Sequence, residues 1–124
     1  MMNHILFKSN NEVSTYRSEY ESVTLDELNK LVGGWIEIVR KDKNAINAMA
    51  SFPENTVVIV DEEGFLKDLN PNFLASWITN RLIVGDVVIS KENEGGEIIG
   101  FDDSELENVM SLITNFKKIM KDGK

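Results

Sequence analysis

The spacing of apolar residues along the chain predicts a series of short strands. Residues 4–9 and 14–20 read "HILFKS" and "STYRSEY" and predict two strands, joined by a turn at Asn10 and Asn11 because asparagine favours turns. The uninterrupted apolar run "TVVIVD" at 56–61 is typical of a strand that is covered on both faces. These segments predict a sheet with at least one central strand.

Further segments complete the predicted sheet. "WIEIVR" at 35–40 predicts a strand whose side chains alternate between the two faces. "RLIVGDVVIS" at 81–90 predicts the last long strand, with a bulge at its Gly-Asp pair, and "IIGF" at 98–101 predicts a short return strand after a charged hairpin loop. The segment "AINAMASF" at 45–52 fits a strand and a helix equally well.

Two short helices are predicted before the last long strand. The capping box "TLDE" at 24–27 begins the first helix, and Gly33 ends it because glycine adopts the left-handed conformation without steric cost. After an acidic turn and a short extended stretch, "FLKDL", Asn70 is predicted to cap the second helix with Pro71 at its first position. This second helix runs to about Thr79.

A long amphipathic helix is predicted at the carboxyl end. The overlapping capping signals "DDSE" at 102–105 and "SELE" at 104–107 mark its start. Its apolar face repeats at helical spacing and comprises Leu106, Val109, Met110, Ile113, Phe116 and Met120. With no repeat and no linker, the chain is predicted to form one α+β domain over residues 1–124, with a mainly antiparallel sheet, two short helices and this long one.

Composition and charge narrow the function classes. Hydrophobic residues make up 42% of the 124 residues and charged residues 27%, values typical of a globular protein. Because the net charge is −8, the chain repels DNA and RNA polymers, which we do not expect as partners. The chain has no cysteine and no apolar run long enough to span a bilayer, and we expect no signal peptide in its first residues. We therefore expect a cytoplasmic protein without a membrane partner.

The titratable residues give no pattern typical of an active site. The acidic turn at 61–63 is compatible with a divalent cation or a carboxylate pair, and equally with a solvated turn. His4 is the only histidine, and no nucleophile–base pair emerges. The glycine pair at 33–34 follows a helix instead of preceding one, so it does not form a phosphate-binding loop. We therefore predict a protein that is not an enzyme, with no catalytic residues, metal or cofactor.

A few side chains are suited to a phosphorylated ligand. Arg40 ends a predicted strand and Arg81 begins one, and the guanidinium group matches phosphate oxygens in a bidentate manner. Phe73 lies beside Asn72 near a helix start, where a ring and an amide could stack a purine and bind its edge. The alternatives are ordinary surface arginines and, for Phe73 and Trp77, an apolar stripe facing the core.

The segments "LVGGWIEIV", "VVIVDEEGFLKDLNPN" followed by Ala75, and "IVGDVVI" make the chain similar to a phage and prophage family of unknown function. Within it, the chain resembles the anti-defence sponges that act against Thoeris immunity. The resemblance implies binding and sequestration, without cleavage, of cyclic ADP-ribose isomers such as glycocyclic ADP-ribose, made by TIR-domain proteins in the bacterial host cell. It also implies that related members hold cyclic oligonucleotides, and that the family forms homo-oligomers (dimers or hexamers) with pockets at subunit boundaries.

The resemblance implies a set of ligand-binding residues. It assigns a phosphate contact to Arg40 and an amide contact to Asn72. Either Phe65 or Phe73 stacks the adenine, and Lys91 stands after the last strand where the family leads us to expect an arginine. The alternative function is an acidic phage protein-interaction module that inhibits a host protein directly.

Overall fold

The computed structural model describes residues 2–40 and 51–122. The ambiguous segment 45–52 therefore lies outside the described residues except for its last two positions, and so does the side chain of Met120. Among the helices of the described ranges, none has the length and apolar character that a membrane crossing requires.

Six strands and three helices are found within the described ranges. In chain order they are β1 (Met2–Phe7), β2 (Val13–Ser18), α1 (Leu25–Val32), β3 (Ile36–Arg40), β4 (Thr56–Asp61), α2 (Phe73–Thr79), β5 (Val87–Glu92), β6 (Ile98–Ile99) and α3 (Asp103–Asp122). The strands form one antiparallel sheet in the order β2-β1-β5-β4-β3, with β6 paired to β5. The predicted α+β class, the antiparallel sheet and the long carboxyl-terminal helix are confirmed.

Helices cover both faces of the sheet. On one face, Leu28 and Val32 of α1 belong to the same buried cluster as Val57, Ile59 and Val88. On the other face, apolar residues of α2 and α3 form a second cluster with the alternate positions of the same strands; it includes Leu74, Ile78, Val109, Ile113, Val58, Val60 and Ile89. Because both faces are covered, all six residues of β4 are buried, as its uninterrupted apolar run predicts.

The capping predictions are confirmed for the first and last helices. The Thr24 side chain accepts a hydrogen bond from the Glu27 backbone and the Glu27 carboxylate accepts one from the Thr24 backbone, while Gly33 ends α1 at a φ of 94°. At α3, Asp102 and Glu105 make the equivalent pair of bonds. Of the two predicted capping signals, only the one at 102–105 caps the helix, because the one at 104–107 begins inside α3.

The middle of the chain corrects three predictions. The stretch "FLKDL" is a run of turns and not an extended segment. The second helix is capped by Asn72 instead of Asn70, and Pro71 forms an isolated bridge with Val84. The last long strand begins at Val87 and not at residue 81, because Gly85 at a φ of 80° turns the chain before it.

Candidate ligand-binding site

A close approach between two loops positions the candidate site. The loop that follows β4 packs on the segment between α2 and β5 at Gly64, where an added Cβ would lie 2.8 Å from the Val84 side chain. Backbone bonds from Gly85 to Asn70 and from Asn72 to Ile83 tie the same two segments together. A glycine is thus required at position 64 for the loops to meet at this distance.

This approach forms a shallow groove that contains two of the predicted site residues. Phe65 lies on one loop with 67% of its surface exposed, and Arg81 and Leu82 lie on the other. Val39 and Val60 contribute from the sheet face that carries α2 and α3. The groove measures about 70 Å³, so a ring placed here would stack on Phe65 and remain partly open to solvent.

Among the described residues, Arg81 is the one arginine without an ion-pair partner. Arg17 lies 3.6 Å from the Asp103 carboxylate, and Arg40 donates two hydrogen bonds to Glu92, of 2.8 and 2.7 Å. Within residues 2–40 and 51–122, the guanidinium group of Arg81 has neither an ion pair nor a hydrogen bond. Its five donors are therefore available to an anion that enters the groove.

Carboxylates share the groove with Arg81. Glu37 and Glu62 line it from β3 and from the turn after β4, and Asp61 reaches it as well. The carboxylate of Asp61 is paired with Lys67 at 2.7 Å and also accepts a hydrogen bond from the Glu63 backbone. Because Arg81 is the one free cation among the described residues of the groove and the carboxylates of Glu37 and Glu62 are exposed beside it, the groove of a single chain is a weak phosphate site.

Asn72 and Phe73 lie at the start of α2 in very different surroundings. Asn72 is fully buried, and its side chain makes three hydrogen bonds, to Phe7 O and Gly85 O at 2.9 Å and from Ala75 N at 3.1 Å. These bonds occupy both amide donors and tie the amino end of α2 to the strands. Phe73 is 57% exposed, so it does not face the core, whereas Trp77 packs edge-on against Phe116.

Neither Arg40 nor Lys91 lines the groove. Arg40 lies opposite Val57 on the sheet face that carries α1, and its guanidinium group holds the pKa of Glu92 below the usual value. Lys91 lies inside β5 and not after it, and its ammonium group pairs with Glu105 at 2.7 Å. Both cations are already neutralised, so the chain by itself brings together only Phe65 and Arg81.

The acidic turn contributes Asp61 and Glu62 to the groove, whereas the histidine is buried. In the described ranges, no three His, Asp or Glu side chains are grouped as a metal site requires. His4 Nδ1 lies 2.6 Å from Ser90 Oγ, but both residues are completely buried beneath the α1 side of the sheet. Burial lowers the pKa of His4 to about 4, so its imidazole is neutral at pH 7.

Sequence reasoning missed Leu82 and Glu37 as groove residues. Glu37 was detectable, since the alternation of β3 places it on the same face as Val39. Leu82 was predicted to lie in the last long strand. That strand begins only at Val87, five residues later, so Leu82 lies in the preceding loop and is 64% exposed. Nothing local in the sequence identifies which arginine lacks a partner.

Comparison with known proteins gives a family without an assigned function. The model of a domain of unknown function, DUF3846, matches residues 2–114, which is nearly the whole chain. Searches of curated proteins and of solved structures give no match. The matched region includes all six strands of the described ranges, the first two helices and the groove, and the chain therefore belongs to the DUF3846 family.

Proposed function

We propose that the protein binds cyclic ADP-ribose isomers made by TIR-domain proteins and sequesters them without cleavage, which blocks bacterial anti-phage defence. The proposal rests on the resemblance to anti-Thoeris sponges. The observation that supports it most is that one groove contains both Arg81, whose guanidinium group has no partner among the described residues, and the exposed aromatic ring of Phe65. Charge and stacking are the two interactions that a phosphorylated purine requires.

A second copy of the chain supplies the rest of the proposed site. A diphosphate needs more than one cation, and the groove offers only Arg81 alongside two exposed carboxylates. Arg40 is on the opposite face of the sheet, and its guanidinium group is already bonded to Glu92. A homo-oligomer, a dimer or a hexamer, would bring cations from another copy to the groove.

The required affinity is attainable with these groups. A sponge acts stoichiometrically, so it needs a dissociation constant near 1 nM, equivalent to about −12 kcal/mol. Bidentate contacts from arginines contribute roughly 1.5 to 3 kcal/mol per hydrogen bond to a charged group, and a stacked ring adds about 1 kcal/mol beyond its buried area. Several such contacts in a site closed by a second copy offset the cost of association.

The decisive experiment measures depletion and recovery of the ligand. Purified protein is incubated with cyclic ADP-ribose isomers, the free nucleotide is quantified after ultrafiltration, and the bound fraction is released by heat. We expect stoichiometric depletion and recovery of unaltered nucleotide. Recovery of a cleaved product, or no depletion with any isomer, would refute the proposal.

Matched arginine substitutions locate the site. Arg81→Gln removes the free cation, and we expect it to weaken binding by roughly tenfold or more, as loss of a charged hydrogen-bonding group predicts. Arg17→Gln is the control, because it makes the same change on β2 at the opposite edge of the sheet. If both substitutions weaken binding equally, the affinity depends on the net charge of the protein and not on a contact in the groove.

A second candidate function is an acidic protein-interaction module that inhibits a host protein. The observation in its favour is the exposed apolar surface around the groove, where Leu66 is 84% and Leu82 64% exposed. Trp35 is 61% exposed, and its carbonyl accepts a backbone hydrogen bond from Glu62 of the groove. Capture of one host protein from lysate, unchanged by added nucleotide and abolished by Leu66→Ser, would favour this function over sequestration.

A further inference from the structure

A second and larger cavity, of about 300 Å³, lies where the carboxyl end of α1 meets the loops that precede α2 and β5. Val32 and Leu69 give it apolar walls, and Asp61, Lys67, Asn70 and Asp86 give it polar ones. It shares only Asp61 with the Arg81 groove. This cavity is not lined by any of the residues that the sequence predicted to bind a ligand.

The cavity presents hydrogen-bonding groups that the described part of the chain leaves open. One carboxylate oxygen of Asp86 accepts a bond from the Ser9 backbone at 3.0 Å, and the other has no partner among the described residues. In the same ranges, the side-chain amide of Asn70 and the hydroxyl of Ser9 make no hydrogen bond either. Three residues that line the cavity, Asp86, Asn70 and Ser9, therefore each carry a polar side-chain group without a partner in the described ranges.

The charges around the cavity oppose an anion. Lys67 is its one cation, and the ammonium group is engaged by the buried Asp61 carboxylate at 2.7 Å. Asp86 adds a second carboxylate, and α1 directs its carboxyl end, the negative end of the helix dipole, to the cavity at Gly33. A phosphate at this position would meet two carboxylates and a helix carboxyl end with a single, already paired, cation.

We propose that this cavity binds a neutral ligand with vicinal hydroxyl groups, a sugar or the ribose of an unphosphorylated nucleoside. A carboxylate beside an amide is suited to a diol, because the carboxylate accepts from a hydroxyl and the amide both donates and accepts. Acidic residues bind ribose hydroxyls in this manner in dinucleotide-binding proteins. The apolar side chains of Val32 and Leu69 are suited to the non-polar face of the same ring. This site does not depend on the proposed sequestering function.

An NMR titration of the full chain tests the proposal. Separate samples receive D-ribose, adenosine and AMP, and the amide signals of Ser9, Gly33 and Asn70 are followed. We expect saturable shifts with adenosine, weaker ones with ribose, and binding of AMP at least about tenfold weaker than that of adenosine, because the phosphate meets the carboxylates. Shifts with ribose comparable to those with adenosine would identify the ligand as a sugar. Absence of shifts with ribose and adenosine, or tighter binding of AMP, would overturn the proposal.

Isosteric substitutions sharpen the test. Asp86→Asn retains the acceptor for the Ser9 backbone but removes the charge, so we expect about tenfold weaker adenosine binding and a smaller penalty for AMP. Asp68→Asn is the control, since it makes the same change outside the cavity, on the loop that precedes α2. If circular dichroism shows that Asp86→Asn does not fold, Asn70→Ala removes the open amide instead. Unchanged adenosine affinity in the folded variant would contradict the assigned diol contact.

Discussion

The buried imidazole of His4 makes stability depend on pH in a predictable direction. Burial lowers its pKa from 6.5 to about 4, and the nearby Glu27 carboxylate offsets only part of this. The unfolded chain therefore binds a proton near pH 6.5, whereas the folded chain binds one only near pH 4. As the pH falls through this window the free energy of unfolding should decrease by roughly 3 kcal/mol, the equivalent of this pKa difference.

Urea unfolding at pH 7, 5 and 4 measures this effect, and a non-titrating variant isolates it. His4→Gln removes the only histidine of the chain and leaves the carboxylates unchanged. We expect the variant to lose less stability than the wild type between pH 6.5 and 4, by about the same 3 kcal/mol. Parallel pH profiles for the two proteins would show that His4 is not buried as a neutral base.

Asn72 is predicted to stabilise the fold whatever its relation to a ligand. Asn72→Ala removes the cap of α2 and the two buried hydrogen bonds that the amide donates to the carbonyl groups of Phe7 and Gly85. The expected loss of stability is roughly 3 kcal/mol, which sums one cap with two buried hydrogen bonds at about 1 kcal/mol each. Chemical unfolding of Asn70→Ala, an exposed asparagine two residues earlier, is the comparison; we expect a change within about 0.5 kcal/mol. Similar values for both variants would refute the structural role.

At the scale of elements, Glu105 connects α3 to the sheet. Its carboxylate accepts a hydrogen bond from the Asp102 backbone at the helix start and also pairs with Lys91 of β5. Asp102→Ala should cost about 1 kcal/mol, the usual value of a cap. Glu105→Ala should cost more, because the Lys91 ammonium, with 12% of its side chain exposed, loses its partner.

Thermal and urea unfolding of the two variants test this difference. Glu107→Ala, on the exposed side of the same helix, serves as the control and should change the stability by less than about 0.5 kcal/mol. If Glu105→Ala costs no more than Asp102→Ala, the bond to Lys91 contributes nothing to the attachment of α3.

The elements that the sequence predicted correctly are those specified by local signals. The apolar run of β4 and the capping boxes at Thr24 and Asp102 each determine an element within a few residues. The predicted start of α2 was wrong, because the position of its cap depends on contacts with residues distant in sequence. The carbonyl of Asn70 accepts a hydrogen bond from the Gly85 backbone, and Pro71 pairs with Val84, so Asn72 is left as the cap.

The same limit applies to the candidate site. Local sequence gave no indication that Arg40 pairs with Glu92, which lies 52 residues later, or that Lys91 pairs with Glu105. Both pairs depend on which strands and helices become neighbours. Phe65 and Arg81 were predicted separately, and the contact of Gly64 with Val84 that brings them together is visible only in the folded chain.

At the scale of the whole molecule, the net charge of −8 predicts how salt affects capture of an anionic ligand. A cyclic ADP-ribose isomer is repelled at long range, and only within a few ångströms does the attraction of Arg81 dominate. Raising the ionic strength to 0.15 M shortens the Debye length to about 8 Å, which screens the long-range repulsion more than the contact attraction. We expect the association rate constant, measured by stopped-flow, to rise roughly twofold or more from low salt, the opposite of a basic nucleotide-binding protein. The association rate of uncharged adenosine with the same protein should not depend on salt, which makes it the control. If the rate for the anionic ligand falls as salt is added, a local cluster of cations larger than Arg81 alone governs the encounter.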